Sequence, residues 1–320
     1  MRIIYCVNST NAGLTQHRGE MQNRYAIVTG LVASGALLAA CGSSTVQGVS
    51  SRTAGAKTQS SKPTKILPIP SGTVSASSPL PNGTLWVVAG NAASKGIFQI
   101  SLSSGKVDAS VSVSNDASAV AQATTGEICL GIASPSGGGA VQFRSGVTGG
   151  LLSTVPLSGA VIALTAGSDA KTFYALTRVG SAMSVSIVQD TNGKVISTVP
   201  APKAAVSLAV TPSERHVYVL QSDGIMSEIS TSNGQVDSQF SIGRSGYFAA
   251  MSSDGSSLYV LKGQDPNRNV AVVQLSTESV KKVLPAAASS VAVALSPDGT
   301  QLYDVIGNAS VGNIQIYKLG

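Results

Sequence analysis

The sequence predicts an all-β fold: a six-bladed β-propeller of four-stranded antiparallel blades, the last blade closed by the N-terminal strand. Three observations predict it. One strand motif recurs at near-constant spacing, a Pro/Asp/Gly turn precedes each copy, and the composition builds strands rather than helices. Of 320 residues, 43% are hydrophobic, 4% aromatic and 11% charged, and 34 are Gly. β-Branched side chains suit pleated, half-buried strands, while Gly supplies tight reversals. So little charge argues against a coiled coil or a charged disordered tail.

The recurring strand reads Leu85-Trp86-Val87-Val88, Ile128-Cys129-Leu130-Gly131, Phe173-Tyr174-Ala175-Leu176, Val217-Tyr218-Val219-Leu220, Leu258-Tyr259-Val260-Leu261 and Leu302-Tyr303-Asp304-Val305. Its second positions are 43, 45, 44, 41 and 44 residues apart. Turns precede them at Pro81-Asn82-Gly83, Thr125-Gly126, Gly167-Ser168-Asp169, Pro212-Ser213-Glu214, Ser253-Asp254-Gly255 and Pro297-Asp298-Gly299. Pro presets φ and Gly accepts positive φ, as a tight reversal between antiparallel strands requires. A third strand follows each loop, at 97–102, 141–144, 185–188, 226–229, 270–275 and 314–319. Short turns then lead to outer strands at 107–113, 151–157, 195–199, 236–242 and 280–284. Small apolar runs at 119–123, 161–166, 206–210, 248–251 and 291–295 supply inner strands. Four short strands per 40-odd residues is the blade of a propeller. A sandwich requires no such equal spacing.

The strand count fixes how the ring closes. The last repeat lacks an outer strand and the first lacks an inner one. Residues 66–70 read as the missing outer strand and 74–78 as the missing inner one. Residues 65–70 are therefore expected beside 314–319; their two prolines suit an edge strand.

These turns and strands resemble the YVTN-type propeller repeat of quinoprotein amine dehydrogenase-like proteins. Ser296-Pro297-Asp298-Gly299 with Leu302-Tyr303, and Ser253-Asp254-Gly255 with Leu258-Tyr259-Val260, match its SPDG-x-x-LYV core. Thr191-Asn192-Gly193-Lys194-Val195-Ile196-Ser197-Thr198-Val199-Pro200 matches its second half. The first two repeats lack SPDG, and Cys129 stands where an aromatic is usual. The resemblance spans about 66–320. It implies the fold and is nearly silent on function.

Ahead of the repeats, Arg24 followed by the apolar run 26–38 and Leu38-Ala39-Ala40-Cys41 has the layout of a signal peptide, too short for an ordinary span. The last four residues resemble the bacterial lipobox, which implies cleavage after residue 40 and acylation of Cys41. The expected organisation is then a mis-called leader (1–20), a lipoprotein signal peptide (21–40), the lipidated Cys41 with a flexible Ser/Thr/Gly-rich tether (41–64), and the propeller (65–320). A cell-envelope location, extracytoplasmic and membrane-anchored, follows from the same residues.

Signatures of chemistry are sparse. The formal net charge is +6, and basic residues are scattered, with no run longer than Lys281-Lys282, so no nucleic-acid groove is expected. No GxSxG, HExxH, P-loop or Rossmann fingerprint occurs. Asp190-x-Asn192-Gly193 lacks the remaining ligands of a calcium loop and reads as a hairpin turn. His216 is expected on a solvated turn, Cys129 as a buried inert thiol, and Trp86 between blades rather than against a quinone. No metal and no cofactor is expected. Loops after the outer and second strands open on one face and carry Asn115, Asp116, Lys203, Arg244, Tyr247, Asp265, Asn267 and Arg268. These are the expected ligand-binding face for a protein, peptide or envelope glycan, on a non-enzymatic scaffold. The alternative is a propeller enzyme of lactonase or dehydrogenase-like type, which would crowd its channel mouth with carboxylates, His or a metal.

The polar stretch 1–20 precedes the charged start of the signal, so Met21 is the expected first residue. N-terminal mapping of the precursor should return no peptide from residues 2–20; recovering one overturns that start.

Overall fold

The computed structural model describes residues 62–91, 93–190 and 192–319, and the short strand Lys57–Thr58. The leader, the signal segment, Cys41 and most of 42–64 lie outside the described residues.

Six antiparallel sheets form, each built from four consecutive strands except at the closure. Blade 1 holds Ser75–Ala76, Thr84–Gly90, Lys95–Ser101 and Val107–Val113. Blade 2 holds Ala117–Gln122, Ile128–Ala133, Gly139–Arg144 and Leu151–Leu157. Blade 3 holds Ala160–Ala166, Thr172–Val179, Ala182–Gln189 and Lys194–Ala201. Blade 4 holds Ala205–Val210, His216–Gln221, Ile225–Ser230 and Val236–Ser241. Blade 5 holds Gly246–Met251, Ser257–Lys262, Asn269–Gln274 and Ser279–Pro285. Blade 6 holds Ser290–Leu295, Gln301–Gly307 and Gly312–Lys318, and takes Lys65–Pro68 as its outer strand. Each inner strand contacts the inner strand of the next blade, and blade 6 contacts blade 1, so the ring is closed.

The closure is made as the strand count demands. Leu67 pairs with Ile314 in antiparallel register, and the Thr64 and Ile69 N–H groups donate to Ile316 O and Gly312 O at 2.7 and 3.0 Å. Leu67 and Ile69 then fill a core shared by Val305, Ile314 and Ile316 of blade 6 with Leu85, Val87 and Ile100 of blade 1. Pro68 is exposed on the free edge, where its missing N–H is harmless.

All six turns between first and second strands contain a left-handed residue: Gly83, Gly126, Ala170, Glu214, Gly255 and Gly299, with φ from 58° to 96°. Glu214 takes this strained position yet gains partners. Its carboxylate accepts the Asp169 N–H (2.7 Å) and the Tyr174 hydroxyl (2.9 Å) from blade 3, latching the two blades. Burial and this carboxylate together push the Tyr174 phenol above its usual range.

Three features differ from expectation. Inner strands begin earlier than the apolar runs suggest, because a bulge carries pairing back past Ser118, Ile162, Val206, Tyr247 and Val291. The turn between the last two strands of blade 5 is a 3-10 turn, Leu275–Thr277, ended by left-handed Glu278. Lys57–Thr58, inside the expected tether, pairs in parallel with Lys282 and Val283 and adds a fifth strand to blade 5.

Deleting residues 65–71 should lower stability by several kcal/mol, because the blade 6 edge and the blade 1 core are both uncovered. Leu67→Ala alone should cost about 2–5 kcal/mol. Thermal and urea unfolding measure both; unchanged midpoints would refute the closure's contribution.

Candidate functional site

Alternation along the inner strands stacks two rings of side chains around the channel. Register places Ala76, Val120, Leu164, Leu208, Ala249 and Val293 at one level. Two residues further on lie Ser78, Gln122, Ala166, Val210, Met251 and Leu295. With Phe248 and turn residues such as Pro81, Thr124, Thr211, Pro212 and Pro297, they line a cavity of about 410 Å³. No Asp, Glu, Lys, Arg or His is among its lining residues, and Gln122 is its one amide. Sequence reasoning placed the site on the other face, among the loops after the outer and second strands. The cavity instead opens among the turns between first and second strands.

A second cavity, of about 790 Å³, runs outward along the same face at blades 1 and 2. It shares Leu80, Pro81, Gln122 and Thr124 with the channel cavity, and adds Gln99, Glu127, Ser145, Val147 and Leu152. Val147 and Leu152 are 82% and 62% exposed, high for apolar side chains. Burial pushes the Glu127 carboxyl up to about 7, helped by the like-charged Asp190 of blade 3. Burial, then these two acids, also raise the thiol of Cys129, which is fully buried. Trp86 is likewise buried in the core between blades 1 and 2.

Of the residues expected on the opposite face, three are brought together. Arg268 stacks its guanidinium 4.5 Å above the Tyr247 ring, pairs with Asp265 at 2.9 Å and donates to Ser290 O. Asp265 also accepts the Ser289 N–H at 3.0 Å, tying the blade 5 loop to blade 6. The bulge in the inner strand re-aims Tyr247 into this contact. Beneath lies Asp304, fully buried, which sequence reasoning missed. Burial pushes its carboxyl up to about 6, against the pull of the Ala287 N–H and Arg268. Lys203 and Arg244 are exposed on neighbouring turns, Asn115 donates to Ala93 O, Asp116 lies on the loop between blades 1 and 2, and Asn267 shares the blade 5 loop of Asp265 and Arg268.

His216 is not on a solvated turn. It opens the second strand of blade 4, half-buried, with Nε2 3.1 Å from Asp237 and Nδ1 3.7 Å from Glu228. Asn192 does close a hairpin, its Oδ1 accepting the Lys194 N–H at 3.0 Å. Among the described residues, no three of His, Cys, Asp and Glu are grouped to hold a metal ion.

Aligning the six repeats by register would have found Gln122, because it is the one long polar side chain in a ring of apolar and small residues. Asp304 had the same signal, a charge inside an apolar strand. Glu127 had none, since its shift comes from burial and from Asp190, 63 positions away in sequence and brought close only by ring packing.

The fold and cavities define a closed six-bladed propeller with an uncharged channel mouth. Among solved structures it is similar to Kuenenia stuttgartiensis hydrazine synthase, with a TM-score of 0.59 and 13% identity, over 78% of this chain and 84% of that one. At that identity the likeness shows the fold alone. No protein-family model matches the chain, and no curated protein matches it.

Glu127 holds its proton in the folded state up to about pH 7, whereas a free Glu loses it near 4.5. Between those values the folded state binds more protons, so stability falls as pH rises. Asp304 acts the same way between 3.8 and about 6. Glu127→Gln should therefore flatten the fall from about pH 6 to 7, and Asp304→Asn the part below pH 6. Urea unfolding across pH 4–8 tests both assignments.

Proposed function

We propose that the chain is a lipoprotein held at the extracytoplasmic face of a cell membrane through Cys41, with its propeller acting as a binding scaffold. One observation carries the binding reading: the channel cavity is enclosed by all six blades yet lined without a titratable side chain. Active sites gather groups with shifted pKa values around a reacting centre, whereas binding cavities are mainly apolar with a few placed polar atoms. The enzyme alternative, of lactonase or dehydrogenase-like type, needs carboxylates, His or a metal at that mouth. The name of the structural neighbour is a synthase, and at 13% identity its activity does not carry over.

The ring's two faces then differ in task. The face with Lys203, Arg244 and the Tyr247–Arg268–Asp265 cluster presents rigidly held loops to a protein, peptide or envelope glycan. The uncharged channel mouth takes a smaller, neutral group. Two acyl chains at Cys41 supply stable anchoring where one is marginal.

In cells, Cys41→Ser should abolish labelling by radioactive palmitate and move the protein from the membrane to the soluble fraction. Retention of the label, or of membrane association, would remove the anchoring half of the proposal.

A further inference from the structure

In blades 1, 3, 4 and 5 the outer strand carries a valine two positions after a left-handed turn residue, opposite an apolar residue of the third strand. Val107, Val195 and Val236 of blades 1, 3 and 4 are 46%, 40% and 49% exposed at this position. Val280 of blade 5, opposite Val273, is 7% exposed. An outer strand ends its sheet and presents unpaired N–H and C=O groups unless something covers it. On blade 5 the chain itself begins to do so, since Lys57 and Thr58 pair in parallel with Lys282 and Val283.

We propose that the outer edge of blade 5 is the docking site for the segment of this chain ahead of the ring. The docked segment leaves at the channel-mouth end, so an anchor at Cys41 holds that face toward the membrane. Parallel pairing sets the direction: residues before Lys57 run toward those before Lys282, and so toward Ser279 and the Leu275–Thr277 turn. That turn lies at the channel-mouth end of the blade. The Leu275 N–H donates to Ser256 O at 3.0 Å, and neighbouring Ser252 and Ser253 line the channel cavity. Connectivity singles out blade 5. Thr64 joins blade 6 by donating to Ile316 O, six residues after Thr58, and six residues span at most about 20 Å. Sixteen residues separate Cys41 from Lys57, a coil of about 20–24 Å on average. One blade is about as tall, so bringing the opposite face to the membrane would stretch that coil well past its average reach. The channel-mouth end also carries exposed Val147, Leu152 and Ile196, aliphatic side chains that suit a boundary between water and lipid. The facing of the ring rests on the Cys41 reading above; the docking does not.

Spin labels test the docking in the full chain with Cys6→Ser and Cys41→Ser, where the fully buried Cys129 is the one other thiol. One label sits at Ala54→Cys and the second at Ser253→Cys or Gln264→Cys, exposed positions at opposite ends of blade 5. The dipolar distance should be shorter to Ser253 than to Gln264 by about 10 Å, half the length of a strand. Lys57→Pro with Thr58→Pro removes two N–H groups from the added strand and should broaden both distributions until they overlap. Equal distances without the prolines overturn the docking, and that comparison needs no proline variant to fold. The facing is read on phosphatidylcholine vesicles containing a fluorescent acceptor lipid. Acylated protein with a donor dye at Ser253→Cys should transfer at least about twofold more energy than with the dye at Gln264→Cys, since the sites differ in height by a strand. Equal or reversed transfer overturns the facing. Loss of the Cys41 anchor in cells does not touch the spin-label distances, so the two proposals fail separately.

Discussion

No blade of this ring owns a core. Each of the six apolar clusters is shared by two neighbouring blades, from Trp86 with Leu130 between blades 1 and 2 to Leu67 with Leu85 between blades 6 and 1. A lone four-stranded sheet here would expose apolar surface on both sides, so each blade is stable only between two others. Circular closure is therefore a thermodynamic requirement, and Lys65–Pro68 meets it by serving blade 6 while its side chains also pack on blade 1. The buried second-strand positions depend on the same constraint: Trp86, Tyr174, Tyr218 and Tyr303 are covered because the neighbouring sheet is in place.

Much of this was legible in sequence because it is local and repeated. The Pro/Asp/Gly turns state their backbone conformation directly, and six copies at one spacing allow a single architecture. The missing strand at Gly320 could be paired with the surplus one at residues 66–70 by counting alone. What sequence left hidden arises from juxtaposition. Positive φ at Ala170 and Glu214 has no glycine to announce it, and the latch from Glu214 to Tyr174 joins residues 40 apart. The position of the cavity was equally hidden. Its lining joins strand residues to turn side chains such as Pro81, Pro212 and Pro297, from six turns far apart in sequence.

The two faces of the ring separate polar from apolar surface. On one, Arg268 is held by Asp265, Tyr247 and Ser290 O, a rigid arrangement that ties the loop of blade 5 to blade 6. On the other, the channel mouth offers hydroxyls, prolines and aliphatic chains. Salt screens the exposed charges of the first face and has nothing of the kind to screen in the lining of the channel.

Closure by the N-terminal strand also governs timing. Ribosomal synthesis delivers residues 65–68 long before their partners at 312–318, so about 250 further residues must exist before that edge can pair. Throughout that interval the opening strand carries an uncovered edge and the first core stays half built. Contacts of such sequence separation slow folding and lengthen the lifetime of sticky intermediates. Until residues 312–318 are in place the ring has no closing edge, so the last sheet to be completed decides when the first one is covered.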